Sequence, residues 1–180
     1  MTSPLRLFVA LELPAEAVAA LDAFARRAAR DGLRVLPPEA LHVTLAFLGG
    51  RAEEEVEPIA AALRAVAAPV EGLSLAGPAW LPPRRPSVLA VDLADPGGAC
   101  ARLQGAVSDA LAALGAYAPE RRAFRPHVTV ARVRRGARVD RTLPDLAPGP
   151  TFAAPALTLY RSRLGPKGAS YDALARTPLT

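Results

Sequence analysis

Two hexapeptides in this chain repeat each other, and together they hold every histidine it has. Leu41-His42-Val43-Thr44-Leu45-Ala46 and Pro126-His127-Val128-Thr129-Val130-Ala131 align residue for residue, 85 positions apart. Each follows a helix-forming stretch and a proline-marked turn. Each has the β-branched content of a strand. A chain that writes one strand twice at this separation is expected to fold into two lobes. A pseudo-twofold axis would relate them, and each lobe would lend one strand to a shared cleft.

The surrounding pattern supports that expectation. Leu5 to Leu11 reads as a buried strand. Pro14 opens a helix over Ala15 to Arg30, with Val18, Leu21, Phe24 and Ala28 on one face. Leu33 to Leu36 is a short strand, Leu41 to Leu48 a longer one, and Gly49-Gly50 is expected to stop it. Glu53 to Ala67 is an alanine-rich helix with acid in its first turn. Strands follow over Leu73 to Ala76 and Val88 to Leu93, with Ala79 to Pro86 between them as a proline-stiffened loop. Ala99 to Leu114 is a helix, and His127 to Val133 a strand. Arg134 to Pro150 is basic and irregular. Leu157 to Leu164 and Ser170 to Ala175 form a closing hairpin around the turn Gly165 to Gly168. The order is β-α-β-β-α-β-β-α-β-β-β. No composition break marks a linker. We expect an α+β fold in one domain over residues 1–180: two pseudo-twofold-related antiparallel sheets, flanked by helices, around a central cleft.

Composition narrows the class. A chain that is 51% hydrophobic with a net charge of +5 can bury a core and is not disordered. One cysteine excludes an internal disulfide framework. There is no long apolar run, and the N-terminal apolar stretch is short, broken by Glu12 and followed by no cleavage site. A soluble cytoplasmic protein without a membrane partner is expected. Of the 22 basic residues, 21 are arginine, whose planar fork grips phosphate with two hydrogen bonds. Part of that excess is what a GC-rich genome writes. Seven arginines nevertheless fall between positions 121 and 138, around the second repeat, and suggest a surface for a nucleic-acid backbone.

Strand side chains alternate, so His42 and Thr44 share one face, as do His127 and Thr129, while Val43, Leu45, Val128 and Val130 face the other way. If the two strands are neighbours, one groove holds two imidazoles and two hydroxyls. That inventory suits acid–base chemistry on a phosphodiester. One ring takes a proton from water and the other gives a proton to the leaving oxygen. The hydroxyls donate to phosphoryl oxygens where charge develops. A single His-x-Thr in a strand is ordinarily structural. The doubling, with no histidine left elsewhere, favours catalysis. A zinc site lacks ligands, since two histidines are too few and Cys100 sits on a separate helix. No metal or other cofactor is expected.

These segments resemble the 2H phosphoesterase superfamily, named for two His-x-Thr/Ser motifs. Within it, they are most similar to the bacterial and archaeal RNA 2′,3′-cyclic phosphodiesterases, historically called 2′-5′ RNA ligases or LigT-like proteins. The resemblance runs through Arg6 to Pro14, His42 to Gly49, Phe124 to Arg132 and Leu157 to Leu174. It implies a bilobal fold and metal-independent opening of a terminal 2′,3′-cyclic phosphate to a 2′-phosphomonoester. It also implies that His42 is the proton donor to the leaving 3′ oxygen and His127 the proton acceptor from water. Thr44 and Thr129 would hold the phosphate. Attack by an RNA 5′-hydroxyl in place of water would run the reaction backwards to a 2′-5′ linkage.

Four further residues are candidates for substrate contact. Arg132 lies at odd spacing from His127, which puts it on the far face of an ideal strand, yet the resemblance favours it near the phosphate. Phe47 stands at the same odd spacing from His42. Core packing is its default, and base stacking would require the strand to bend near Gly49. Arg125 belongs to the basic run, and Tyr171 joins a flat ring to a hydroxyl. The expected partner is RNA with 2′,3′-cyclic phosphate ends. Whether that RNA is tRNA stays open, and nothing demands more than a monomer. Two other functions remain: a non-catalytic RNA-binding module, and a phosphodiesterase of a small cyclic nucleotide. ATP-driven ligation is disfavoured by the absence of a P-loop or a nucleotidyl-lysine motif.

Overall fold

The computed structural model describes residues 4–166 and 168–179. Its elements are β1 (Leu5–Leu11), α1 (Ala15–Ala28), β2 (Leu33–Val35), β3 (Val43–Arg51), α2 (Val56–Val66), β4 (Ser74–Leu81), β5 (Val88–Ala94), α3 (Ala99–Ala113), β6 (His127–Val133), β7 (Ala156–Gly165) and β8 (Gly168–Pro178). Short 3₁₀ turns over Pro38–Ala40 and Glu53–Glu55 precede β3 and α2. The order of strands and helices is the one expected from sequence.

Hydrogen bonding runs β4-β5-β6-β3-β1-β7-β8, with β2 on β6, and every pairing is antiparallel. The two expected sheets are thus two halves of one curled sheet. They meet at a seam of one residue pair, Val43 with Val128. Those two residues are equivalents in the repeat, so the pseudo-twofold axis passes between them. A second correspondence follows from the register. Phe8-Val9-Ala10-Leu11 pairs with β3 as Val88-Leu89-Ala90-Val91 pairs with β6. Glu12 and Asp92 are next in line.

One face of the sheet is apolar and covered by helices. Leu7, Val9, Leu11, Val43, Leu89, Val91, Val128, Leu157 and Leu159 alternate onto it, and all are buried. The three helices pack there with Leu21, Phe24, Ile59, Leu63, Leu103, Val107 and Leu111 in one continuous core. The other face is the polar groove.

Several boundaries differ from the sequence pattern for identifiable reasons. The Gly49-Gly50 pair does not stop β3; Gly49 and Gly50 pair with Leu7 and Arg6. The expected loop from Ala79 loses its first three residues to β4, which continues to Leu81. Trp80 anchors the far side of that hairpin by donating Nε1–H to the Arg141 carbonyl at 3.1 Å. Arg141 in turn donates to the Pro83 and Arg84 carbonyls. Residues 134–150 are irregular, as expected, and these bonds pin them to the β4–β5 hairpin. Lys167, in the expected closing turn, lies outside the described residues.

The β7–β8 hairpin arches back over the groove. Its Gly168 lies against the Arg34 guanidinium of β2, which belongs to the other half of the sheet. Gly168 has φ +118°, and a Cβ there would collide with that guanidinium. We predict that Gly168→Ala lowers unfolding free energy by about 1–3 kcal/mol, because an L side chain is strained at this φ. Urea denaturation followed by circular dichroism measures it.

Candidate active site

Antiparallel pairing of Val43 with Val128 puts His42 across from Thr129 and Thr44 across from His127. Paired residues point to the same face. The valines face the helices, so both histidines and both threonines face the groove. All four are half-buried.

The two rings are anchored alike. Nδ1–H of His42 donates to the Ala40 carbonyl at 2.8 Å, and that of His127 to the Arg125 carbonyl at 2.7 Å. A carbonyl only accepts, so Nδ1 carries the proton in each neutral ring and Nε2 presents its lone pair on the opposite edge. For His42, Nε2 lies 3.1 Å from Thr44 Oγ1, on the groove side.

The odd-spaced residues reach the groove through matched β-bulges. On β3, Thr44 pairs with Ala10 and Ala46 with Val9, so Leu45 is an extra residue. On β6, Thr129 pairs with Ala90 and Ala131 with Leu89, so Val130 is extra. Leu45 and Val130 are equivalents in the repeat. Each bulge shifts the alternation by one, which brings Phe47 and Arg132 onto the groove face. The core default for Phe47 is therefore wrong: the ring is 65% exposed. It sits 6.0 Å from the ring of Phe8. Arg132 is exposed at the equivalent place. The bulged carbonyls have partners outside the ladder. Gln104 of α3 donates to Leu45, and the Leu36 N–H donates to Val130.

The environments of the two histidines differ. His42 sits in an aromatic nest, with ring centroids of Phe8 at 5.0 Å, Tyr171 at 5.3 Å edge-on, and Tyr160 at 6.2 Å. Tyr171 thus lies edge-on against the His42 ring. Tyr160 joins it because Phe8 and Tyr160 pair across β1 and β7. Burial pushes the His42 imidazolium down to about 4. The Ala40 bond opposes that shift, while the charges of Arg132 and His127 add to it. With that shift His42 is neutral at pH 7.

His127 lies in a polar setting. Asp92 stands directly across from it on β5. Arg125 is placed differently from the sequence expectation of free contact with substrate: its guanidinium is engaged by Asp92, Nε to Oδ1 at 2.8 Å and Nη2 to Oδ2 at 2.5 Å. The matching carboxylate in the other half, Glu12, accepts from Thr158 at 2.7 Å and from Arg176 at 3.0 Å. Of the basic run, Arg122 pairs with Glu120, while Arg121, Arg134, Arg135 and Arg138 are exposed. No helix among the described residues is long and apolar enough to cross a membrane.

The His42 shift has a consequence for stability. Between pH 6.5 and 4 the unfolded chain binds a proton at this residue that the folded chain refuses. Stability therefore falls as pH drops through that window. We predict that wild type loses up to about 3 kcal/mol more than His42→Gln between pH 7 and pH 4. Denaturant titrations of both proteins across that range measure the difference.

Comparison with known proteins places this architecture. Residues 11–166 match the 2′-5′ RNA ligase superfamily. The RNA 2′,3′-cyclic phosphodiesterase of Thermus thermophilus is 33% identical over 97% of this chain and 90% of its own length. That of Geobacillus stearothermophilus is 31% identical over 96% of this chain, but this chain spans only 56% of that relative. Among solved structures, Escherichia coli LigT superposes with a TM-score of 0.80 at 26% identity, covering 99% of both chains. A solved structure from Thermus thermophilus gives 0.81 at 30% identity over 97% of each. With paired motifs on one groove, a twofold seam between them and this breadth of similarity, the chain belongs to the 2′-5′ RNA ligase superfamily.

Proposed function

We propose that this protein is an RNA 2′,3′-cyclic phosphodiesterase that opens a terminal cyclic phosphate to a 2′-phosphomonoester by two-histidine acid–base catalysis. The reading is carried by the Val43–Val128 pairing, which sets two His/Thr pairs about a twofold axis on one face. Its relatives from Thermus and Geobacillus bear that activity in their names, and LigT has been crystallised with phosphate and with 3′-AMP.

In this reading the roles of the two histidines are those the family resemblance implies. Water attacks phosphorus, and its proton passes to Nε2 of His127. The new P–O bond forms as the bond from phosphorus to O3′ breaks. His42 gives its proton to O3′. In-line displacement needs the base and the acid on opposite sides of phosphorus, and a twofold arrangement supplies that. Thr44 and Thr129 donate to the non-bridging oxygens, and Arg132 neutralises their growing charge. The exposed ring of Phe47 stacks on a base, with Tyr171 beside it.

The acid must hold a proton, yet burial keeps the His42 ring neutral at pH 7. The cyclic phosphate carries a negative charge and raises the His42 pKa as it enters. Substrate and proton therefore bind together. With an RNA 5′-hydroxyl in place of water the same machinery runs in reverse. Exposed arginines around the second motif suit an RNA strand, in keeping with RNA ends as the partner rather than a small cyclic nucleotide. The protein acts as a cytoplasmic monomer in this reading.

The test uses an RNA oligomer ending in a 2′,3′-cyclic phosphate, with EDTA present. Wild type yields the 2′-phosphate. His42→Ala and His127→Ala each lose about 10²–10⁴-fold in kcat with the fold intact by circular dichroism. Thr44→Ala and Thr129→Ala lose less, because each removes one hydrogen bond among several. Near-normal turnover in either histidine variant refutes the mechanism. Salt-sensitive RNA binding without turnover in wild type points to a binding module.

A further inference from the structure

The two histidines are anchored alike but supported differently. His42 rests on the carbonyl of Ala40, which closes a 3₁₀ turn. That turn holds itself together, with Ala40 N–H to Pro37 O at 2.9 Å and Leu41 N–H to Pro38 O at 3.1 Å. Prolines at positions 37 and 38 stiffen it. His127 rests on the carbonyl of Arg125, and residues 123–126 belong to no helix or strand. What holds that carbonyl comes from the neighbouring strand. The Arg125 guanidinium meets the Asp92 carboxylate fork to fork, and Asp92 is the β5 residue paired with His127. The next peptide is fixed separately, by Leu93 N–H to the Pro126 carbonyl at 2.9 Å. Asp92, the Arg125 side chain, the Arg125 main chain and the His127 ring thus close a loop across the β5–β6 ladder.

We propose that Asp92 is a positioning residue for His127, acting through Arg125. The clamp keeps the Arg125 carbonyl on Nδ1. The neutral ring then stays protonated there, and its Nε2 lone pair stays aimed into the groove. A general base works only when that lone pair meets the water within hydrogen-bond reach. On the His42 side the 3₁₀ turn does the same job, which is why the equivalent carboxylate, Glu12, holds Arg176 of β8 instead. The role assigned to His127 rests on the phosphodiesterase reading above; the clamp itself does not.

The charged and titratable groups facing His127 are Asp92 from β5, Arg125 and Arg132 from its own segment, and His42, the residue before β3. Asp92→Asn removes a charge as well as the fork. Arg125→Lys keeps both charges and removes only the fork, so the pair separates geometry from electrostatics.

The experiment measures kcat and KM on the cyclic-phosphate oligomer for wild type, both single variants and the double variant. It also records ¹⁵N–¹H spectra of the imidazoles at about pH 8.5, above the ordinary imidazole range. Two histidines give two ring systems, assigned with His42→Gln. The expected result is a kcat lower by about tenfold in each single variant, KM changed by less than about twofold, and a double variant no worse than either. The His127 ring nitrogens converge toward a mixed-tautomer signature while those of His42, the internal check on folding, stay put. The proposal is overturned if Arg125→Lys raises KM and Asp92→Asn lowers it, since Arg125 would then grip RNA. It is equally overturned if the His127 tautomer is unchanged in both variants. Because the spectra need no turnover, an inactive wild type would sink the phosphodiesterase reading and still leave the clamp open to test.

Discussion

The pairing of Val43 with Val128 is the contact on which the site depends. An antiparallel pair of strands has a local twofold axis between its partners, and here the partners are repeat equivalents. Symmetry then places His42 beside Thr129 and His127 beside Thr44 without further instruction. A slip of one residue would turn all four into the helices and the valines into solvent. The register is guarded from both sides. The valines are fully buried against the core, and the bulges at Leu45 and Val130 are pinned by Gln104 and by the Leu36 amide.

Symmetry ends at the second layer of residues. His42 lies among Phe8, Tyr160 and Tyr171, and its burial makes the imidazolium costly. His127 faces a carboxylate–guanidinium pair and open groove. Two rings with the same backbone anchor thereby sit in unlike surroundings.

Much of this was legible in the chain. The repeat located both His/Thr pairs and the shared face, and the order of elements followed from apolar runs and turn residues. What escaped were features set by partners distant in sequence. Strict alternation sends Phe47 and Arg132 to the core side, and nothing local announces the extra residues at Leu45 and Val130. The register reveals them, because only the facing strands β1 and β5 show where pairing skips. Gly49-Gly50 reads as a stop, yet its partner strand carries it onward. Arg125 reads as one of seven basic residues, and its engagement with Asp92, 33 positions earlier, exists only once β5 lies beside β6. A carboxylate closing each of the Phe8–Glu12 and Val88–Asp92 segments was the available clue, weak until the strands were aligned.

The matched bulges place unlike side chains at equivalent points, Phe47 in one half and Arg132 in the other. In the proposed reaction, a perfectly twofold site would accept a phosphodiester in two opposed poses of equal energy, and half of all encounters would present the wrong oxygen to the acid. An aromatic plane on one flank and a cation on the other lift that degeneracy. Each 1.4 kcal/mol or so between the poses favours one direction about tenfold. Duplication supplies the paired histidines, and in the proposed reaction the divergence at these positions, together with the unlike surroundings of the two rings, gives it a polarity along the strand.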